Sequence, residues 1–285
     1  MAIQNVGVVG CGLMGSGIAQ VCAQKGFKTV VREVNDEFLR KGMDRIRNFL
    51  GEGVRRGKVQ QSEMDQTLAN LRGTTSLADL KDCDLVIEAV VENLDEKKKV
   101  FAELDRACKP GTILASNTSS IPIASIASAT RRPDHCLGLH FMNPVPLMKL
   151  VEIVRPDAAS EETYRTAKAF VESLGKITVT AKDTAGFIVN LLLVPYLCEA
   201  VRAVERGLAT PQDIDTAMKL GCGMPMGPLE LLDFVGLDTT LFIMDVLYKE
   251  FNDPRFVAPA LLRTMVSEGK NGKKAGRGFF EYAKK

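Results

Sequence analysis

The chain has little net charge, only two histidines, no paired-cysteine spacing and no long uninterrupted apolar run. Each shortage removes a class of function. A formal net charge of +2 over 285 residues leaves no electrostatic footprint for nucleic acid or a membrane surface, although a local basic patch for an acidic ligand is compatible with it. The seven cysteines (11, 22, 83, 108, 136, 198 and 222) are odd in number and contain no C-x-x-C pair. That argues against a disulfide framework and against a zinc site, so no metal is expected. Most of them lie in apolar runs, where cysteine acts as a small hydrophobe, and this points to a reducing compartment. The most apolar long stretch, 185–203, is interrupted by Asn190, Pro195, Glu199 and Arg202, so it reads as a buried helix and not as a membrane span. The first strand is expected within a few residues of Met1, which leaves no room for a signal or transit peptide. The expected setting is cytoplasmic.

What is present is a change of pattern along the chain. Short apolar runs alternate with amphipathic stretches in the first part, the pattern of βαβ units and a mostly parallel sheet. Strands are expected at 6–9, 28–32, 84–88, 112–116, 136–141, 150–154 and 177–180. Helices are expected at 14–25, 36–56, 95–108 and 161–174, with Phe38, Ile46 and Leu50 on the apolar face of the second. Residues 57–72 are charged and helix-permissive and predict an excursion from the sheet, so that 36–72 forms a helical insertion. After Asp183-Thr184-Ala185-Gly186 the strand-like runs stop. Thr210-Pro211-Gln212-Asp213 is a helix start, with a capping Thr, a Pro at the first helical position and an acid three residues after the cap. The expected fold class is therefore α/β followed by an all-helical C-terminal domain, with 1–185 and 186–285 as the two domains.

Gly10-Cys11-Gly12-Leu13-Met14-Gly15 has G-x-G-x-x-G spacing. It follows a predicted strand and opens a predicted helix, the context that gives the motif meaning. Gly10 permits the tight turn, Gly12 lets the backbone approach a pyrophosphate, and Gly15 allows close helix–strand packing, as in a Rossmann-type dinucleotide domain. The phosphates would face N–H groups at the helix N-terminus. Glu33 ends the second strand eighteen residues after Gly15, near the spacing of about 20 for the ribose-binding acid. It would accept from the ribose hydroxyls and repel a 2′-phosphate, which favours NAD over NADP. Arg32 beside it weakens that argument, because an arginine there could accommodate the phosphate.

Of the two histidines, His135 follows Arg131-Arg132-Pro133-Asp134 in a loop and reads as solvated. His140 ends a strand and opens the turn Phe141-Met142-Asn143-Pro144. Ligands in open α/β sheets sit beyond the carboxyl ends of strands, and imidazole titrates in the range a general base needs. A carboxylate would fix its tautomer. Glu152, the lone acid in Leu150-Val151-Glu152-Ile153-Val154, is either an edge residue facing water or a buried partner, and spacing does not choose between them.

The segments Gly10–Gln20, Asp84–Asn93, Ser116–Ser120, Gly138–Pro146, Lys149–Ile153, Gly186–Asn190, Met226–Leu232 and Gly278–Phe280 together resemble the L-3-hydroxyacyl-CoA dehydrogenase family, nearly end to end and in order. Within that family the chain is similar to the short bacterial 3-hydroxybutyryl-CoA members. The resemblance implies NAD as cofactor, an acyl-CoA thioester as substrate and a homodimer, with the helical domain serving the substrate cleft and dimerisation. It implies that His140 is the catalytic base and Glu152 its acidic partner. Ser119 and Asn190 would orient the oxygen-bearing end of the substrate, and Glu92, Lys97, Asn143 and Lys274 would be further cofactor contacts, with Ser119 also beside the nicotinamide. The alternative for Lys97 and Lys274 is an exposed lysine in a basic run. Arg55, Arg56 and Lys58 resemble the part of the excursion that meets the CoA adenosine, against the alternative of a solvated turn. Cys11 replaces the more usual alanine and is expected to add sensitivity to oxidation. Glu33 replaces the more frequent aspartate, and Gly223 leaves the local turn open.

Two other readings compete. One is a dehydrogenase of a non-CoA hydroxy or sugar acid on the same scaffold. The other is a non-catalytic NAD-binding protein, which the joint presence of Ser119, His140, Glu152 and Asn190 disfavours.

Overall fold

The apolar runs of the first half become strands β1 (Asn5–Val9), β2 (Lys28–Arg32), β3 (Leu71–Thr74), β4 (Leu85–Glu88), β5 (Ile113–Ser116), β6 (Cys136–Phe141), β7 (Leu150–Arg155) and β8 (Ile177–Lys182). In the computed structural model, which describes residues 3–283, they form one sheet in the order β3-β2-β1-β4-β5-β6-β7-β8. All neighbours are parallel except β6 and β7. The order 3-2-1-4-5-6 is that of a dinucleotide-binding domain, with its switch point between β1 and β4; β7 and β8 extend it. Buried strands alternate their side chains between two layers. Val6, Val8, Leu85 and Ile87 enter one apolar cluster, and Val9 and Val86 enter the other.

Helix α1 (Leu13–Gln24) crosses from β1 to β2. The expected excursion is formed by α2 (Asp36–Arg55) and α3 (Gln61–Ala69). Ile46 and Leu50 of α2 are buried as the periodicity requires, but Phe38 is 49% exposed and lines a cavity. The excursion ends sooner than its composition suggests, because Leu71–Thr74 pairs with β2 as the sheet edge. A four-residue edge strand with exposed Arg72 and Gly73 has no apolar alternation to reveal it. Helix α4 (Leu94–Ala107) follows β4; Asn93 Oδ1 accepts from the amides of Asp95 and Glu96 and starts it. The short α5 (Ile123–Ala127) was not expected from the sequence, and α6 (Glu161–Ser173) leads into β8.

The structure divides between Thr184 and Ala185. The second unit holds α7 (Val189–Glu205), α8 (Pro211–Cys222), α9 (Pro228–Val235), α10 (Leu237–Phe251) and α11 (Ala260–Ser267). Its core includes Leu197, Val201, Leu229, Leu232, Met244 and Leu247. Thr210 caps α8 through the Asp213 amide with Pro211 at its start, and Gly223 ends it in the left-handed region at φ +67°. That conformation explains the glycine before Met224. Two buried acids are hydrogen-bonded in place. Asp215 accepts from the Leu229 and Glu230 amides at 2.8 Å each and so caps α9. Asp233 accepts from the Phe279 and Phe280 amides and the Tyr282 hydroxyl, pinning the C-terminal segment.

The turn into β6 is fixed by another acid. Asp105, on α4 and 5% exposed, accepts from Arg131 Nε at 3.0 Å and Arg132 Nε at 2.7 Å. Arg132 also donates to the carbonyls of Asp105, Cys108 and Lys109, satisfying the orphan acceptors at the end of α4. Burial pushes the Asp105 carboxyl up, but the arginine hydrogen bonds outweigh it and hold the group below its usual range. A depressed carboxyl contributes stability that is present above its unfolded value and is lost as pH falls through the folded one. Asp105→Asn should therefore cost about 1–3 kcal/mol at pH 7, and the gap to the parent protein should shrink at low pH, once the carboxyl of the parent is protonated. Urea melts at both pH values check this; an equal gap at both would show that the arginine pairing is not its source.

Candidate active site

The glycine-rich turn links β1 to α1. Gly10 has φ +96°, and its amide donates to the Arg32 carbonyl at 2.9 Å. A Cβ there would meet the Ala89 carbonyl oxygen at 2.6 Å, and one on Gly15 would collide with the Gly10 carbonyl. A Cβ on Gly12 would have nothing within 4 Å. Gly10 and Gly15 are therefore required by the protein itself, whereas Gly12 faces open space. It borders a cavity of about 510 Å³ lined by the turn, the end of β2, Ala89 to Val91, and one side of α4. This cavity, the amides at the start of α1 and the unfilled approach at Gly12 fit a bound dinucleotide. Leu13 is 60% exposed at that helix start.

Glu33 lines the same cavity. Its Oε2 accepts from the Cys11 amide at 2.8 Å and its Oε1 from the Val34 amide at 2.6 Å. The added methylene, relative to aspartate, thus lets the carboxylate reach back to the turn. Cys11 is 2% exposed, and burial, reinforced by the Glu33 charge and opposed by Arg45, pushes its thiol up to about 12. Such a group is a neutral thiol at pH 7 and reacts poorly, so the expected sensitivity to oxidation is not supported. Its packing role is visible in Gly42 of α2, where a Cβ would collide with Cys11.

At the carboxyl end of β6 the antiparallel register places His140 directly across from Glu152 on β7. Residues opposite one another in a sheet point to the same face. Their side chains meet, with His140 Nδ1 and Glu152 Oε2 at 2.6 Å; His140 is 6% exposed and Glu152 fully buried. Glu152 is thus the buried partner and not an edge residue facing water. A buried carboxylate on Nδ1 fixes the tautomer and stabilises the imidazolium that forms when Nε2 takes a proton. This is the arrangement of a general base.

The loop after β5 carries Ser119 and is organised by Glu92. That carboxylate accepts from the Thr118 hydroxyl at 2.5 Å, the Ser119 amide at 3.0 Å and the Ser120 hydroxyl at 3.0 Å. Lys97 lies 3.2 Å from Glu92 and 2.8 Å from Glu88. Burial raises the Glu92 carboxyl, but the Lys97 charge and the loop hydrogen bonds hold it below its usual value. Lys97 is 1% exposed, so it is not an exposed member of a basic run. The periodicity carried a signal: residues 97, 100, 101 and 104 form one helical stripe, and Val100, Phe101 and Leu104 are all buried.

Asn143 is exposed in the loop after β6, just before a cis peptide to Pro144. Asn190 is the second residue of α7, and Lys274, in the segment after α11, pairs with Asp238 at 2.7 Å. Arg55 and Arg56 are exposed on Glu52 at the end of α2, with Lys58 exposed beyond them. His135 lies at the opposite end of β6 from His140. Among the described residues no group of three or more His, Cys, Asp or Glu could hold a metal ion, and no helix is long and apolar enough to cross a membrane.

Several residues of the site were not anticipated. Asn117 Oδ1 accepts from the Phe141 amide at 2.9 Å, tying the Ser119 loop to the residue after His140. Lys176 Nζ donates to the carbonyls of Val145 and Met148 at 2.6 and 2.7 Å, bracing the loop that carries Asn143. Arg45 reaches the Cys11 carbonyl at 3.3 Å. These contacts join residues 24 to 34 positions apart, and nothing local in the sequence announces them.

Residues 5–184 match the NAD-binding domain of 3-hydroxyacyl-CoA dehydrogenase, and residues 186–282 match the C-terminal domain of the same enzyme. The chain is 50% identical over 283 residues to a 3-hydroxybutyryl-CoA dehydrogenase of Mycobacterium tuberculosis, with 99% of each chain covered. The crystal structure of M. tuberculosis FadB2 superposes with a TM-score of 0.98 at 50% identity, covering 99% of this chain and all of that one. For the (S)-3-hydroxybutyryl-CoA dehydrogenase of Ralstonia eutropha the TM-score is 0.95 at 43% identity, with the same coverage. On the strength of both domain matches and these full-length relatives, the chain belongs to the 3-hydroxyacyl-CoA dehydrogenase family, and its cofactor is NAD.

Proposed function

We propose that the protein catalyses the reversible, NAD-dependent oxidation of (S)-3-hydroxyacyl-CoA to 3-ketoacyl-CoA, with 3-hydroxybutyryl-CoA as substrate. The observation that carries the mechanism is the His140–Glu152 pair, a buried imidazole whose Nδ1 is held by a fully buried carboxylate. The substrate class rests on the relatives, which are 3-hydroxybutyryl-CoA dehydrogenases.

The nicotinamide supplies the hydride acceptor. The turn from Gly10 to Gly15 would hold the pyrophosphate, and Glu33, at the end of β2, would be the acid beside the adenosine ribose. In the oxidative direction His140 Nε2 takes the 3-hydroxyl proton while Glu152 stabilises the cation; in the reductive direction the imidazolium returns the proton to the forming alkoxide. Ser119, held by Glu92, and Asn190 of α7 orient the oxygen-bearing end of the substrate. Glu92 and Lys97 support the nicotinamide side through the Ser119 loop, and Asn143 and Lys274 complete the cofactor contacts. Arg55, Arg56 and Lys58 are the cations available for the CoA phosphates. All seven cysteines are unpaired, which supports a reducing, cytosolic setting.

The reading includes a homodimer formed through the helical unit. Leu208, Leu220, Phe242 and Phe251 of that unit are exposed, Leu220 by 83%, and large exposed apolar side chains in one small unit favour a partner surface.

Acetoacetyl-CoA should drive NADH oxidation, and His140→Ala should lower kcat by about 10²–10⁴-fold with NADH binding unchanged by fluorescence titration. A near-normal kcat would remove His140 from the mechanism, and no turnover of any short 3-ketoacyl-CoA would remove the substrate class. Glycine replacements should separate binding from folding. Gly12→Ala should keep the parent Tm but weaken NADH binding by about tenfold or more, whereas Gly15→Ala should lower the Tm; equal Tm losses would contradict the open approach at Gly12. Light scattering should return a mass twice 31.1 kDa, and a monomer at micromolar concentration would rule out the dimer.

A further inference from the structure

The strand that ends in the base outruns its neighbour on one side. Parallel pairing of β6 with β5 stops at Ser116 and Gly138, whereas antiparallel pairing with β7 continues through His140 and Phe141. The end of β6 that carries His140 is therefore held by a strand along one edge only. Successive backbone N–H groups of a strand point to opposite edges, and the N–H of Phe141 is directed to the side that β5 has left. Phe141 is 2% exposed, so bulk water does not replace the missing strand. A buried amide left without an acceptor would be unfavourable.

Asn117 supplies that acceptor. It follows β5 directly, and its own amide donates to the Glu88 carbonyl, at the end of β4, at 2.8 Å. Its Oδ1 accepts from the Phe141 amide at 2.9 Å. The residue is 8% exposed, and a short side chain anchored through its backbone on one side and its oxygen on the other has little freedom. Asn117 also begins the loop that carries Ser119, two residues on. One side chain thus links the base-bearing end of β6 to the loop expected to orient the substrate. Without it the β7 register would still align His140 with Glu152. The imidazole would keep its carboxylate and lose only its fixed place.

We propose that Asn117 is a positioning residue of the reaction. By standing in for the absent strand, it sets where His140 lies relative to Ser119, while Glu152 sets the electrostatics of the base. The proposal rests on the roles given above to His140 and Ser119. A misplacement of about 1 Å can cost about 10²-fold in rate, so a small loosening of the strand end is enough to slow turnover in a folded protein.

Kinetics with acetoacetyl-CoA and NADH test this. Asn117→Ala should lower kcat by about tenfold to a hundredfold. The Kd for NADH, by fluorescence titration, should change by less than about threefold, and the pH dependence of kcat should keep its midpoint because the Glu152 pairing persists. Asn117→Asp, which keeps an acceptor for the Phe141 amide, should recover part of the loss. The deciding comparison combines Asn117→Ala with His140→Ala. A residue that acts through the base has nothing to position once the base is gone, so the double variant should be as active as His140→Ala alone, within about threefold. A near-parent kcat in Asn117→Ala, or a loss that multiplies in the double variant, would overturn the proposal. Should Asn117→Ala melt early, Asn117→Leu, close in size and without an acceptor, serves the same comparison. Histidine-ring NMR adds a readout that needs no substrate, because the chain has only two histidines. Loss of the Asn117 acceptor should shift or broaden the His140 signals and leave those of His135 in place; unchanged His140 signals would overturn the proposal. Failure of the parent protein to turn over any short 3-ketoacyl-CoA would count against the acyl-CoA reading alone, and the ring signals would still decide the role of Asn117.

Discussion

The antiparallel pairing of β6 with β7 is the constraint on which the catalytic geometry depends. Every other neighbouring pair in the sheet is parallel. At this one place the chain returns on itself so that His140 stands across from Glu152. Because side chains alternate faces with period two, a slip of one residue would send the acid to the opposite face. Apolar neighbours hold the register: Leu139 pairs with Ile153 and Phe141 with Val151, and all four are buried. The buried carboxylate would be unfavourable without its imidazole partner, so packing and chemistry demand the same alignment.

Around that pair the surrounding polar groups mostly act on backbone. Asp105 and Arg132 fix the turn before β6, Asn117 holds the Phe141 amide, and Lys176 spans two carbonyls of the loop after it. Glu92, supported by Lys97, collects the Ser119 loop. Both ends of β6 and the loop beside it are thus tied to neighbouring elements. Such ties keep a base within the small positional tolerance that proton transfer requires. The nucleotide end follows the same logic, since Glu33 holds the Cys11 and Val34 amides while Gly12 leaves its side of the turn open.

Much of this was legible in the sequence where the cause is local. The glycine-rich turn depends on six consecutive residues, and its strand and helix are set by short apolar patterns. His140 was legible as a candidate base because it ends a strand. Lys97 was legible in principle, since it shares a helical stripe with Val100, Phe101 and Leu104, although its place in a run of three lysines hid it. Edge strand β3 was not legible: four residues with two exposed positions carry no period. Phe38 fell on the expected apolar stripe of α2, yet the cavity lies beside it and leaves it 49% exposed.

By itself, the sequence determined the α/β first domain and the helical second one, the dinucleotide turn, and the small set of polar residues fit for acid–base chemistry. It did so because glycine tolerance, strand and helix periods and capping act over a few residues. Only the tertiary structure decided that Glu152 is buried against His140 and that Lys97 lies between two carboxylates. It also decided that the Cys11 thiol is too well buried to be reactive and that Glu33 reaches back to the turn. Those outcomes depend on strand register and on solvent exclusion, which arise from the packing of distant segments and have no counterpart in local spacing.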